Sequence, residues 1–188
     1  MNAGYFGESQ FQREYIQTVI KIITLILPER FPDFLFLHNI MELLMRRNTP
    51  VTQNEYLLNA GSTLMSTTDI KSHITYANSA FIEASGYKEE HLLGEPHNLI
   101  RHPDMPAEAF GDMWYTLQQG ETWTGLVKNR RHNGDHYWVR ANVTPVWQGG
   151  SLTGYISVRN IPAREEIAAS EKLYAKVRNN ELKHYRFY

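Results

Sequence analysis

From Asn59 onward the chain follows two periods. Short runs rich in Thr, Ile, Val and Tyr predict strands, and stretches whose apolar residues recur every three or four positions predict helices. "TLMSTTD" (Thr63–Asp69) and "HITYAN" (His73–Asn78) flank the polar "DIKS" and predict a first hairpin. "NSAFIEASGY" (Asn78–Tyr87) predicts a helix, because Asn78 can accept from the first free backbone N–H groups and Gly86 can end the last turn. "KEEHLLGEP" adds one helical turn, stopped by Gly94 and Pro96. "PAEAFGDMWYTLQQG" (Pro106–Gly120) carries the strongest helical pattern. Proline stands in its first turn, and Phe110, Met113, Trp114 and Leu117 fall on one face. Three strands are then expected, "TWTGLVKNRR", "DHYWVRANVTPVW" and "LTGYISVRNI". The first two are joined by an Asn133-Gly134 hairpin turn and the last two by "QGG". A charged helix, "AREEIAASEKLYAKVRNN", follows, with Ile167, Leu173 and Tyr174 as its apolar stripe. Two strand groups separated by helices imply an α+β layout: an antiparallel sheet with helices on one face and a pocket between them.

The first 45 residues differ in character. "YIQTVIKIITLIL" (Tyr15–Leu27) is broken by Lys21 and closed by Pro28. It falls short of the roughly 20 apolar residues that a membrane span needs, and it lacks the basic start of a signal peptide. With "FPDFLFLHNIMELLM" (Phe31–Met45) it predicts a helical pair that packs on the main domain or dimerises; translation from Met45 is the alternative reading. The expected organisation is a helical extension over 1–45, a main domain over 49–165 and a C-terminal helix over 166–188.

Composition narrows the function. The 188 residues include 19 Lys and Arg against 20 Asp and Glu, a net charge of −1, so no basic excess points to nucleic acid. Cysteine is absent, which removes disulfides, thiolate metal sites and a cysteine nucleophile, and fits a reducing, cytoplasmic setting. Four Trp and 11 Tyr exceed what a minimal core needs and suit a pocket for a flat ligand as well as core filling. The histidines have no metal-site spacing, and neither a nucleophile elbow nor a GxGxxG dinucleotide loop occurs. The loop "NLIRHPDMP" (Asn98–Pro106) sets a guanidinium, an imidazole and a carboxylate between prolines, just ahead of the best helix.

Together with "LMSTTD", "GYKEEHLLGEPHNLIRHPDMP", "AFGDMWYTL", "GLVKNRRHNGDHYWVRANVTPV" and "EEIAA", that loop resembles the flavin-binding PAS domains of bacterial aerotaxis receptors. The likeness runs from about Thr49 to Ala169, roughly two thirds of the chain. It implies a PAS fold, in which a five-stranded antiparallel sheet carries short helices on one face, with N- and C-terminal helices added. It implies a noncovalent FAD, with FMN as the alternative, whose redox state is passed to a signalling partner. By the same resemblance the cofactor residues are Arg101, His102, Asp104, Trp114, Asn129 and Asn78. Receptors of that family continue into membrane-spanning and signalling segments, whereas this chain ends at "HYRFY"; output then requires a separate partner, or the chain is a fragment.

Each of these residues also has a plainer reading. Arg101 can clamp a pyrophosphate bidentately or pair with Asp104. His102, held extended by Pro103, can hydrogen-bond the ligand's adenosine half or face solvent. Asp104 can accept from the ligand or cap the helix that starts at Pro106. Trp114 lies on a core-facing stripe that would also face a ligand. Asn129 would turn its amide inward, with Lys128 and Arg130 pointing to water. Asn142 sits similarly on the next strand, its face ambiguous. The rival functions are a haem-binding PAS gas sensor with His97 or His102 as axial ligand, a ligand-free PAS interaction or dimerisation module, and a flavoenzyme. The last finds no nicotinamide-binding motif, so the expectation is a sensor and not an enzyme.

Overall fold

The computed structural model describes residues 50–182, and the expected N-terminal helical pair lies outside them. Five antiparallel strands form one sheet: β1 (Leu64–Thr68), β2 (Ile74–Ala77), β3 (Trp123–Arg130), β4 (His136–Gln148) and β5 (Ser151–Asn160), in the order β2-β1-β5-β4-β3. Helices α1 (Ser79–Ser85) and α2 (Ala107–Gln118) lie between the two strand groups, with 3-10 turns at Glu89–His91 and His97–Ile100; α3 (Arg164–Arg178) follows β5. Every strand and helix expected after Asn59 is present. The 3-10 turn at His97–Ile100, inside the charged loop, was not anticipated.

Local chemistry fixes the α1 corner. The Asn78 side-chain oxygen accepts from the Phe81 N–H at 2.9 Å and the Met65 N–H at 3.0 Å, while its amide nitrogen donates to the Thr63 carbonyl at 2.8 Å. One side chain thus caps α1 and stitches it to β1. Gly86, at φ 71°, closes the helix in the left-handed conformation that a glycine tolerates best.

Strand register sorts the sheet into two faces. One row across the front reads Ser66, Ser157, Val143 and Trp123; the next reads Leu64, Arg159, Ala141 and Gly125. Asn129 pairs with Tyr137 and Val127 with Val139 on the same face. Phe110, Met113 and Trp114 of α2 pack against the core there, and the Trp114 ring meets Tyr155 edge-on at 5.3 Å.

The back face departs from expectation. Lys128 and Arg130 do alternate with Asn129, yet they are 4% and 5% exposed. Helix α3 covers that side: the Tyr174 ring stacks on Trp138, and its hydroxyl donates to the Leu126 carbonyl at 2.6 Å. Ile167, Tyr174 and Val177 are the buried residues of α3, so Val177 joins the expected stripe and Leu173 is only partly buried. Arg164 grips Glu55 bidentately at 2.6 and 2.7 Å, and Arg140 pairs with Glu166. Both rims of the sheet are also closed. The outer edge of β2 exchanges backbone bonds with Gly94 and Glu95, and a bridge from Arg101 to Asn129 lies along the outer edge of β3.

Candidate functional site

A cleft of about 360 Å³ lies between the front of the sheet and the segment running from Pro96 through α2. Its walls are largely apolar: Ile100, Phe110, Met113, Trp114, Trp123, Val127 and Val143 line it. Ser66, His97, Asn129, Ser157 and Arg159 supply polar groups, with Lys71 and Ser72 also on the lining. Such a mixture suits a flat organic ligand whose few polar atoms fix its orientation.

Two of these groups are left short of partners. The Asn129 amide nitrogen and the Ser157 hydroxyl are buried without a hydrogen bond of standard geometry among the described residues. The Asn129 amide does approach the Tyr137 hydroxyl, easing slightly a pKa that burial pushes up to about 12. Buried amides without partners are costly, so a ligand that supplied acceptors would recover that cost.

Arg159 is a charged group set deep in the floor of the cleft, 3% exposed. Its guanidinium donates to His97 Nε2 at 2.7 Å and to Ser66 Oγ at 3.1 Å, and it lies 4.9 Å from the centre of the Phe81 ring. No carboxylate pairs with it among the described residues. Burial lowers its pKa to about 10, so it stays charged at neutral pH. Burial, with Arg159's charge added, pushes His97 down to about 3, so the ring is neutral and accepts at Nε2. The sequence reading passed over Arg159, Ser66 and Ser157. The available signal was the alternation in "LTGYISVRN", which sets Tyr155, Ser157 and Arg159 on one face of a central strand.

Of the seven sequence-derived candidates, Arg101, Trp114 and Asn129 line the cleft. Arg101 donates to the Met105 carbonyl at 3.1 Å, and its guanidinium carbon stands 4.4 Å from the Phe110 ring centre. It does not pair with Asp104. The other four are not part of the lining. Asn78 spends its amide on the α1 corner. Asn142 accepts from Thr124 Oγ1 at 2.8 Å, and its register with Val158 sets it on the back face.

His102 is fully buried, its ring 5.7 Å from His136 and its Nδ1 accepting from the Asp104 N–H at 3.1 Å. Burial and then the Lys128 charge push it down to about 4, against the pull of Asp104. Asp104 neither caps α2, whose N-cap is Pro106, nor enters the cleft; it accepts from Lys128 Nζ at 2.7 Å. Burial alone would raise its pKa, but the hydrogen bond and charge of Lys128 outweigh that and hold it below the usual carboxylate range. The charged loop therefore divides. Arg101 faces the cleft, while His102 and Asp104 anchor the loop to the back of β3. Neither proposed haem ligand is presented well, since His97 Nε2 is engaged by Arg159 and His102 lies outside the cleft.

Comparison with known proteins agrees with this architecture. Residues 74–159 match the model of the PAS fold. Over 124 residues, 66% of this chain, the sequence is 57% identical to the aerotaxis receptor of Escherichia coli K12, and it is 32% identical over 125 residues to a nitrogen fixation regulatory protein of Klebsiella pneumoniae. The aligned region is 24% of the length of each relative. Among solved structures, the light state of the blue-light photoreceptor Aureochrome1 LOV superposes with a TM-score of 0.52 at 20% identity, covering 62% of this chain and 91% of that one. Fold and sequence agree: the described region is a PAS domain, similar to that of the aerotaxis receptor.

Proposed function

We propose that this PAS domain binds FAD noncovalently, FMN being the alternative, and reports its redox state to a signalling partner in the cytoplasm. The observation that carries this reading is the polar floor of an otherwise apolar cleft: the underused Asn129 amide and Ser157 hydroxyl, and the uncompensated Arg159 cation. The bound flavin would supply a planar ring whose polar edge changes its charge and hydrogen-bonding pattern with redox state. The protein's residues do the rest. Trp114, Phe110 and Val127 exclude water from the ring faces, Asn129 offers a donor and an acceptor to the edge, and Arg159 favours negative charge near the floor. Arg101, on the rim, would meet the anionic tail. A cysteinyl adduct of the flavin is impossible, because the chain has no cysteine.

Lys128 and Asn129 are neighbours on β3 that face opposite sides, so a change in the cleft reaches the Asp104 loop and α3 through a single strand. Relatives named as a receptor and a regulatory protein support a signalling role over turnover of a substrate. No helix among the described residues is long and apolar enough to cross a membrane. The test is a visible spectrum of the purified protein before and after dithionite, with chromatography of the released cofactor. Flavin bands that bleach on reduction are expected. A Soret band would replace the reading with a haem sensor, and a protein that stays colourless after incubation with FAD would leave a ligand-free interaction module.

A further inference from the structure

The wall of the cleft next to α2 is built by residues that neither the sequence reading nor the PAS resemblance singles out. Trp123, 2% exposed, opens β3 on the front face. Its ring folds along the strand and lies directly on Gly125. A Cβ added at Gly125 would stand 2.4 Å from both Trp123 Cζ2 and Cη2, far inside van der Waals contact. The indole Nε1–H donates to Asp112 Oδ2 of α2 at 2.8 Å. A bulky residue two positions ahead of a glycine on one face of a strand is free to lie flat only because that glycine has no side chain. Gly125 leaves room for the ring on the strand, and the carboxylate from the opposite wall holds its polar edge.

We infer that Asp112 and Gly125 are positioning residues that hold the Trp123 indole flat against the sheet, and that this flattened indole sets the width of the cleft for a planar ring. The inference rests on the flavin reading of the site. Without the glycine the indole must rotate off the strand into the cleft, where it would occupy space meant for the ligand. Without the carboxylate its N–H loses the one partner that fixes it, and the ring samples angles that narrow the cleft. The sequence contains the same logic: "DMW" in α2 and "TWTG" in β3 place an acid and a Trp-x-Gly on facing elements.

The experiment compares wild type with Asp112→Ala, Asp112→Asn and Gly125→Ala by three readouts: the ¹⁵N-indole resonance of Trp123, the rate of flavin release on dilution, and the thermal midpoint without flavin. In Asp112→Ala the Trp123 indole resonance should move and flavin should leave at least about tenfold faster. Asp112→Asn, which keeps an acceptor oxygen, should restore most of both. Gly125→Ala should move the same resonance and abolish tight binding while the unloaded domain still melts cooperatively. An unmoved Trp123 resonance in both Asp112→Ala and Gly125→Ala overturns the inference, whatever the flavin result. So do wild-type release rates in variants whose indole has moved. A wild type that binds no flavin while the resonances shift as described overturns the flavin reading and with it the ligand-fitting role, leaving the wall geometry itself upheld.

Discussion

Lys128 offers the sharpest stability test. Its ammonium is enclosed under α3, and Asp104 is the acid that pairs with it, at 2.7 Å. Replacing Asp104 with Ala strands a buried cation. Removing one partner of a buried pair costs about 3–5 kcal/mol. The Asp104 side chain is 38% exposed, however, so water already screens part of the attraction, and about 2–3 kcal/mol is the reasonable expectation. Lys128→Met removes the cation instead and leaves a carboxylate that can turn to solvent, so its cost should be about 1 kcal/mol or less. The informative variant is the double, Asp104→Ala with Lys128→Met, which should recover at least about 1 kcal/mol relative to Asp104→Ala alone. Urea unfolding of the flavin-free protein measures all four corners of the cycle.

Asp104's pKa is held below its unfolded value near 3.9, so its contribution is complete above that value and is lost as pH falls through the lower folded value. The gap between wild type and Asp104→Ala should therefore be constant from neutral pH down to about pH 4 and shrink below it. A double variant no more stable than Asp104→Ala would refute the claim that a stranded Lys128 causes the loss. It would point instead to Asp104 holding the loop through His102.

Arg159→Met removes a buried cation that no acid compensates among the described residues, so the unloaded domain should lose little or no stability while flavin retention falls at least about tenfold; a clear drop in its flavin-free midpoint would count against this. Asn78→Ala removes the α1 cap and leaves the Met65 N–H without its acceptor, costing about 2–3 kcal/mol by denaturant unfolding, and the loss should be the same with and without flavin present. His97, His102 and His136 all have folded pKa values below the ordinary one, so the unfolded chain takes up protons first on acidification. Stability should be flat above about pH 7 and fall from about pH 6.5 downward, and His97→Gln should make the fall shallower in a pH series of urea midpoints.

Where the chain alternates or turns over a few residues, the sequence was sufficient. The Asn78 cap, the Gly86 stop, the α2 face and the Asn133-Gly134 hairpin all act within a few positions of themselves. The faces of β3 were assigned correctly, but their environment was not. Whether Lys128 meets water depends on α3, which follows some 35 residues later and whose weak stripe gave no hint of docking over Trp138. The charged loop misled for a related reason. Arg101, His102 and Asp104 are almost adjacent in sequence, but the loop runs along the rim of the sheet, so neighbours fall on opposite sides of it. Arg159 escaped notice because a lone arginine in a strand ordinarily signals a solvent-facing position. Its burial comes from the segment packed on the front face, where His97 and Phe81 enclose it, and the strand alone does not reveal that.

The closed rims of the sheet restrict how this domain can associate. The backbone groups of Ile74 at the β2 rim are bonded to Gly94 and Glu95, and the β3 rim is bridged by Arg101 and shielded by the Met105 sulfur, which accepts from the Lys128 N–H at 3.2 Å. An extended peptide or a second copy would have to displace these loops before it could continue the sheet. Assembly by strand addition is therefore disfavoured, and so is runaway edge-to-edge polymerisation when the protein is concentrated. Because the β3 rim is made by the same loop that presents Arg101 to the cleft, any partner that did pry it open would also disturb the cleft. Protection of the rim amides against deuterium exchange would then double as a gauge of cleft integrity.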